Sequence, residues 1–411
     1  MDAHQPDSPA GVSASLVGQL TDRELQVLAR RASGDAIVAI AAALTIEPRT
    51  VKFHLRNVYA KLGLTNYTHG ARQIALARHA HLLEPDIVQQ EGAVSRRYLF
   101  RPDRKLTQVL THGAQGRFTL SAEVIPPRNG AEQAAVLDQV AQLVASGAQF
   151  LAVTKGAGGS LRGGSLPIAQ AIKEQFGVPC IAHFTCRDLL PEEVENQLMD
   201  HHYFGIRNIL ALRGDPPDGQ PGWQPTPGSH RYAHQLIAQI SDLNCGVYRL
   251  RPNGPSVASQ TPTDFCIGAA VYPEHPSPPE RIDFFKRKVD AGAEYAITQM
   301  VFDPDAYGRF LDSCEKAGLD IPVLPGTRVL RSRTAARRTA EKYAVSIPDS
   351  TLRALPSLQD PDGSQRALDL FMPLVERLRH LGAPGIHLFV TDTATACAAL
   401  SSLARTATAK V

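Results

Sequence analysis

The chain has 411 residues, 43% apolar and 20% charged, with a net charge of +3. That length is too great for one ordinary core, so two or more domains are expected. No run of about 18 uninterrupted apolar residues is present, which argues against a helical membrane span. The first 15 residues carry Asp2 and Asp7 instead of a basic start and an apolar run, so no secretory signal is expected. Six scattered cysteines form no C-x-x-C pair. They read as small buried side chains in a reducing cytoplasm, and Cys186 alone is expected near a site. Charge is uneven: residues 1–117 hold 15 Lys/Arg against 10 Asp/Glu, which leaves −2 for the rest. A nucleic-acid partner would bind the first third.

Residues 1–16 are expected to be disordered, and a compact helical module fills 17–83. Thr21 can cap a helix, with Glu24 completing a capping box, Leu25, Val27, Leu28 and Ala32 as apolar face, and Gly34 as stop. Ile37, Ile40, Ala41 and Leu44 repeat at helical spacing. Pro48 then opens a helix lined by Val51, Leu55, Val58 and Leu62, and a fourth helix is expected over 68–80. The third helix offers Arg49, Lys52, Arg56 and Lys61, with Thr50, His54 and Asn57 between them: phosphate and base-edge donors sharing a face. On charge alone, a solvated helix of an ordinary bundle is equally compatible.

The runs Leu20-Thr21-Asp22-Arg23-Glu24, Ile40-Ala41 and Thr50-Val51-Lys52-Phe53-His54-Leu55-Arg56-Asn57-Val58-Tyr59-Ala60-Lys61-Leu62-Gly63 closely resemble the DNA-binding domain of LuxR-type regulators. The resemblance implies a four-helix domain whose third helix enters the major groove, with Arg49, Thr50, Lys52, His54, Arg56, Asn57 and Lys61 as its DNA contacts. That family's Arg after the recognition helix is Tyr67 here. Residues 84–117 read as a linker of little period, rich in Arg96, Arg97, Arg101, Arg104 and Lys105.

From 118 to 405 an amphipathic helix repeatedly ends at a Gly and an apolar strand follows. The strands are expected at 119–124, 149–154, 179–184, 207–212, 265–270, 294–298, 321–324 and 386–390, with a long, partly helical excursion over 216–264. Eight alternating units over about 285 residues predict an α/β fold, a (β/α)8 TIM barrel, behind the small all-α helix-turn-helix domain. Function then lies at the strand ends: Glu123, Thr154-Lys155, His183-Phe184-Thr185-Cys186, Arg213-Gly214-Asp215, Tyr272, Gln299, Pro325-Gly326 and Thr391-Asp392. Gly156-Ala157-Gly158-Gly159-Ser160 is not a dinucleotide fingerprint, because Leu161 takes the last glycine's place. No metal-ligand spacing stands out, and His201-His202 read as packing or surface residues.

In order, Ser121-Ala122-Glu123-Val124-Ile125-Pro126-Pro127-Arg128, Val153-Thr154-Lys155-Gly156-Ala157-Gly158-Gly159-Ser160, Ala182-His183-Phe184-Thr185-Cys186, Asn208-Ile209-Leu210-Ala211-Leu212-Arg213-Gly214-Asp215-Pro216-Pro217, Ala269-Ala270-Val271-Tyr272-Pro273-Glu274, Lys286-Arg287-Lys288-Val289-Asp290-Ala291-Gly292-Ala293 and Ile297-Thr298-Gln299 closely resemble methylenetetrahydrofolate reductase. The resemblance implies FAD in the barrel, NAD(P)H as hydride donor and a folate substrate. It casts Glu123 as the acid that protonates N10, favoured by an apolar setting of Ala122, Val124 and Ile125. Asp215 becomes the carboxylate beside flavin and pterin, and Gln299 the amide that orients folate and nicotinamide. Thr154, Lys155, Ala157, His183, Arg213, Gly214, Asp215, Tyr232, Ala233, Tyr272, His275, Arg287 and Lys288 fall at flavin positions.

Four stretches depart from the family pattern: Ala122, Val124 and Ile125 stand where aromatics usually surround the acid, Lys155 replaces a Tyr, Val390-Thr391-Asp392-Thr393 replaces Thr-Leu-Asn-Arg, and one residue is missing before His275. The favoured reading is a cytoplasmic, homo-oligomeric reductase with a DNA-binding module. Two others stay open: a transcription regulator whose barrel senses folate or flavin redox state, and a helical module that only docks.

Overall fold

The computed structural model describes residues 20–32, 35, 37–62, 100–114, 118–160, 162–217, 219–220, 222–249, 261–357 and 359–408. The disordered start, the fourth helix over 68–80, Tyr67 and the stops at Gly34 and Gly63 lie outside them. The chain divides into two compact units, Met1–Arg97 with Ala114–Gly116, and Tyr98–Gly113 with Arg117–Val411.

In the first unit, α1 (Asp22–Ala32), α2 (Ile37–Ala43) and α3 (Pro48–Lys61) enclose Val27, Ile40, Ala41, Val51 and Leu55. The expected capping box is present: the Glu24 amide donates to Thr21 Oγ1 at 3.3 Å, and the Thr21 amide to Glu24 Oε2 at 2.9 Å. Glu24 is buried, and its carboxylate also accepts Lys61 Nζ at 2.6 Å. That bond, ahead of the Thr21 amide, holds the Glu24 carboxyl below its usual range. Lys61, expected on the outward cationic face, thus pairs with an acid of α1 while its side chain stays 36% exposed.

The second unit begins before Phe118. Within the expected linker, α4 (Leu106–Ala114) buries Leu106 and Leu110 among Phe150, Ile181, Leu210, Tyr295, Ile297 and Leu324. These residues lie near the strand starts and point inward, so the helix plugs the N-terminal mouth. The strap before it is pinned by polar bonds: Asp103 Oδ2 accepts the Cys180 amide at 2.8 Å, and Asn208 Oδ1 accepts the Leu106 amide at 2.6 Å. Gly205, at φ +74°, has no side chain because the Arg101 carbonyl occupies the place of a Cβ. This stretch is barrel, not linker.

Eight parallel strands close in sequence order: β1 (Thr119–Val124), β2 (Phe150–Val153), β3 (Cys180–Thr185), β4 (Asn208–Leu212), β5 (Cys266–Val271), β6 (Tyr295–Met300), β7 (Val323–Thr327) and β8 (Gly385–Leu388). Helices between them form the outer layer, bound by one large apolar cluster. They are α5 (Ala134–Ala145), α6 (Ser165–Phe176), α7 (Pro191–Tyr203), α8 (Ala233–Asn244), α9 (Pro278–Asp290) and α10 (Pro304–Lys316). The β7–β8 crossover holds α11 (Arg333–Tyr343), α12 (Asp349–Ala354) and α13 (Gly363–His380), and α14 (Thr393–Thr408) ends the layer.

Two strand ends differ from expectation. Pro325 and Gly326, placed on the rim by the sequence, sit inside β7 and are buried. The β6–β7 register breaks between Ile297 and Met300, and such an irregularity is where a strand can accept a proline. β8 stops at Leu388, so Thr391-Asp392 belong to the turn into α14, where Asp392 Oδ1 accepts the Thr395 amide at 2.9 Å as a helix cap.

Candidate active site

The C-terminal ends of β1 to β6 gather most of the expected residues. On β1 the pleat sends Ala122 and Val124 outward into the helix layer and Glu123 inward. The acid's apolar setting is thus the barrel interior. Ala122 and Val124, expected to supply it, lie on the other side of the strand, and Ile125 is 40% exposed.

Glu123 keeps 12% of its side chain exposed, and its Oε2 lies 4.0 Å from His183 Nε2. Burial raises its carboxyl from the ordinary 4.5 to about 8. The same burial drops His183 to about 4. Both are neutral near pH 7, so this is a carboxylic acid beside a neutral imidazole, not an ion pair. His183 Nε2 and Thr154 Oγ1 are buried with no hydrogen-bond partner, two polar atoms left for a ligand.

Behind them stands a residue the sequence reading passed over. His387 on β8 pairs with Ser121 on β1, and its Nδ1 lies 2.9 Å from Ser121 Oγ. Burial first, then His183, lowers it to about 3. His387 is therefore a neutral ring held against Ser121, two residues before the acid. Only the closure of β8 onto β1 reveals it.

The Arg213-Gly214-Asp215 turn follows β4. Gly214 adopts φ +94°, and a Cβ there would lie 2.8 Å from Arg187 Cβ. Asp215 is exposed and fixed at both ends: its Oδ2 accepts the Gly158 amide at 2.9 Å and its carbonyl accepts Arg187 Nη1 at 2.7 Å. The Gly-rich loop after β2 is thereby tied to the acid turn. Gln299 Oε1 accepts the Met300 amide at 2.9 Å, which fixes one end of its side-chain amide. Cys186 is buried under the turn, its thiol directed to the Arg213 carbonyl at 3.7 Å.

Further round, Tyr232 and Ala233 open α8, and Arg287 and Lys288 close α9. His234 feels both cations, after burial, in its lowered pKa. Lys288 Nζ donates to the Ala270 carbonyl at 2.6 Å and lies 5.8 Å from the Tyr272 ring. Arg287 pairs with Asp283 at 2.6 Å, and His275 sits edge-on to Phe284 at 6.2 Å. Lys155 turns aside instead: its Nζ donates to Gln197 Oε1 at 2.7 Å and lies 4.4 Å from the Phe184 ring. It lines a flanking cleft of about 270 Å³ with Arg162 and Arg187. His201 and His202 pack below, His201 edge-on to Phe184.

In the helical unit Arg49, Lys52 and Arg56 are exposed on α3, Thr50, His54 and Asn57 half-buried. Among the described residues no helix is long and apolar enough to cross a membrane.

Fold and site together define a (β/α)8 barrel with a proton-holding carboxyl in its mouth and a fixed carboxylate on its lip, carried with a small helical module. Residues 105–403 match the family model for methylenetetrahydrofolate reductase, and residues 18–73 that for bacterial regulatory proteins of the luxR family. The chain is 31% identical over 290 residues to 5,10-methylenetetrahydrofolate reductase of Escherichia coli (strain K12), covering 68% of this chain and 88% of that protein. It is 30% identical over 283 residues to methylenetetrahydrofolate reductase 1 of Schizosaccharomyces pombe, covering 67% and 44%. Methylenetetrahydrofolate reductase (NADH) 1 of Zea mays is 27% identical over 302 residues, covering 70% and 48%. The chain belongs to the methylenetetrahydrofolate reductase family and carries an N-terminal LuxR-type helix-turn-helix domain.

Proposed function

We propose that the barrel reduces 5,10-methylenetetrahydrofolate to 5-methyltetrahydrofolate with FAD as cofactor and NAD(P)H as hydride donor, and that the N-terminal module binds duplex DNA. The observation that carries the enzymatic reading is Glu123: a carboxyl at the end of a barrel strand, with 12% of its side chain exposed, 4.0 Å from His183 and raised by burial to a pKa of about 8. A general acid works best with a pKa near the working pH, and this one lies within about one unit of neutrality.

Glu123 delivers its proton to N10 of the folate, which opens the imidazolidine ring and leaves an electrophilic iminium carbon. His183 stays neutral, so no cation beside the acid strips its proton beforehand. Gln299 turns its amide NH2 to the folate and the nicotinamide in turn. Asp215, immobilised by the Gly158 amide, sets a fixed negative charge at the lip.

The unpartnered Thr154 Oγ1 and His183 Nε2 fit a polar heterocycle, and Lys288 fits a diphosphate. Ala157, Arg213, Gly214, Tyr232, Ala233, Tyr272, His275 and Arg287 complete the shell for FAD, with Lys155 at its margin. FAD would supply hydride transfer between nicotinamide and folate, and Asp215 would oppose negative charge on the reduced ring.

The purified protein is expected to show a flavin absorption spectrum and folate-dependent oxidation of NADH or NADPH, assayed separately. A colourless protein that FAD cannot reconstitute overturns this reading. The LuxR-type domain supports a second one, a regulator whose barrel senses folate or flavin redox state. Operator binding that shifts with folate, with no turnover, would establish it instead.

A further inference from the structure

On α3 the exposed residues Arg49, Lys52, Phe53, Arg56 and Ala60 follow at spacings of three, four, seven and eleven from the first, so they form one stripe. Val51, Leu55 and Val58 are buried on the other side. Phe53 stands in the middle of the stripe and keeps 51% of its surface. Among the described residues the apolar core of this unit is built without it. Its ring lies between two polar neighbours: the Arg56 guanidinium is 5.7 Å from the centroid, and the His54 ring meets it edge-on at 5.8 Å. The stripe carries no acid; Glu47 pairs with Arg49 at its start.

Three cations call for a polyanion. A phenyl ring between them calls for an apolar group on the same polyanion surface. The major groove of B-DNA displays one such group, the C5-methyl of thymine. Resting on the DNA-binding reading above, we infer that Phe53 reads a thymine methyl, so that the protein's site carries a thymine against the centre of α3. Lys52 and Arg56 hold the flanking phosphates and bases, and Phe53 adds base discrimination without charge.

The test uses the full-length flavin-loaded protein and duplex sites selected from a random library. Each thymine of the selected site is replaced in turn by uracil, which removes the methyl and keeps every hydrogen bond. One thymine per half-site is expected to lose about fourfold in affinity, the size of one buried methyl. Phe53→Ala should abolish that thymine-over-uracil ratio and leave the salt dependence unchanged, whereas Lys52→Ala or Arg56→Ala should each lower the salt slope by about one. The uracil series needs no variant, so it decides even if Phe53→Ala misfolds. Binding indifferent to uracil at every thymine overturns this inference alone, as does a Phe53→Ala protein that keeps the ratio. Failure to bind any duplex, or binding to anionic vesicles instead, overturns it together with the DNA-binding reading.

Discussion

Glu123→Gln tests whether burial sets the proton on the acid. The folded protein holds that proton to about pH 8, and the unfolded chain releases it near 4.5. The displacement amounts to about 5 kcal/mol against the ionised form, with burial as its cause. In the window between those values the folded state binds one proton more than the unfolded state. Wild-type stability must therefore fall as pH rises through it, by at most about 1.4 kcal/mol per pH unit. The glutamine variant has no such proton. Its stability advantage should be near zero below pH 4.5 and grow towards pH 8. The single tryptophan, Trp223, lies in the barrel unit and donates to Asp188 Oδ1 at 3.0 Å, so its fluorescence follows this unit alone. Urea unfolding at pH 5.5, 6.5 and 7.5 gives the gap directly. Folate turnover of the variant should drop by about 10²–10⁴, the usual contribution of a general acid, with reduction of the flavin by nicotinamide retained. A stability gap that does not change with pH, or a variant with full folate turnover, would refute the reasoning.

Other positions follow the same logic. His387→Ala opens a void against Ser121, two residues before the acid; water entering the inner layer there should lower the Glu123 pKa and move the alkaline limb of the pH–turnover profile down by about one unit. Leu106→Ala should cost about 2–5 kcal/mol in urea unfolding of the barrel while the flavin spectrum is unchanged, because the plug lies at the opposite mouth. Gly205→Ala places a Cβ against the Arg101 carbonyl at positive φ and should cost at least about 1 kcal/mol by the same measurement. Burial lowers Lys155 from 10.5 to about 8, so wild-type stability should rise as pH passes from 8 towards 10.5. Lys155→Met should lose that rise, read from melting temperatures at pH 7.5 and 9.5.

Much of the architecture was legible because each crossover repeats one local pattern, a helix closed near a glycine and then a β-branched or small apolar run. The strand at 119–124 was read to the residue, and the others to within one or two at most ends. β7 was misplaced because Pro325 argues against a strand interior until its neighbour's irregular register is known. The plug helix had a signal that went unused: Leu106, Val109 and Leu110 repeat at three and four, and the two leucines are fully buried. The Lys61–Glu24 ion pair could not be read, since the two residues lie 37 apart in sequence and only the fold joins them. Phe53 was named only within a motif run, although a third helix lined by Val51, Leu55 and Val58 already leaves it on the outer face.

Glu123 shows why a motif can name a residue and still misstate its physics. Reading along the chain surrounds the acid with Ala122, Val124 and Ile125. The pleat places the first two on the far side of the strand, and the third is partly in solvent. What desolvates the carboxyl is the inner layer of the barrel, where His183 from β3 lies 4.0 Å away and His387 from β8 is bonded to Ser121, two residues before the acid. Burial keeps both imidazoles neutral, so neither supplies a cation to ionise Glu123. The family's aromatic residues beside the acid can thus be replaced by small aliphatic ones without loss of the proton, provided the inner layer stays closed. Proton-holding here is a property of the closed barrel, not of the segment that carries the carboxyl.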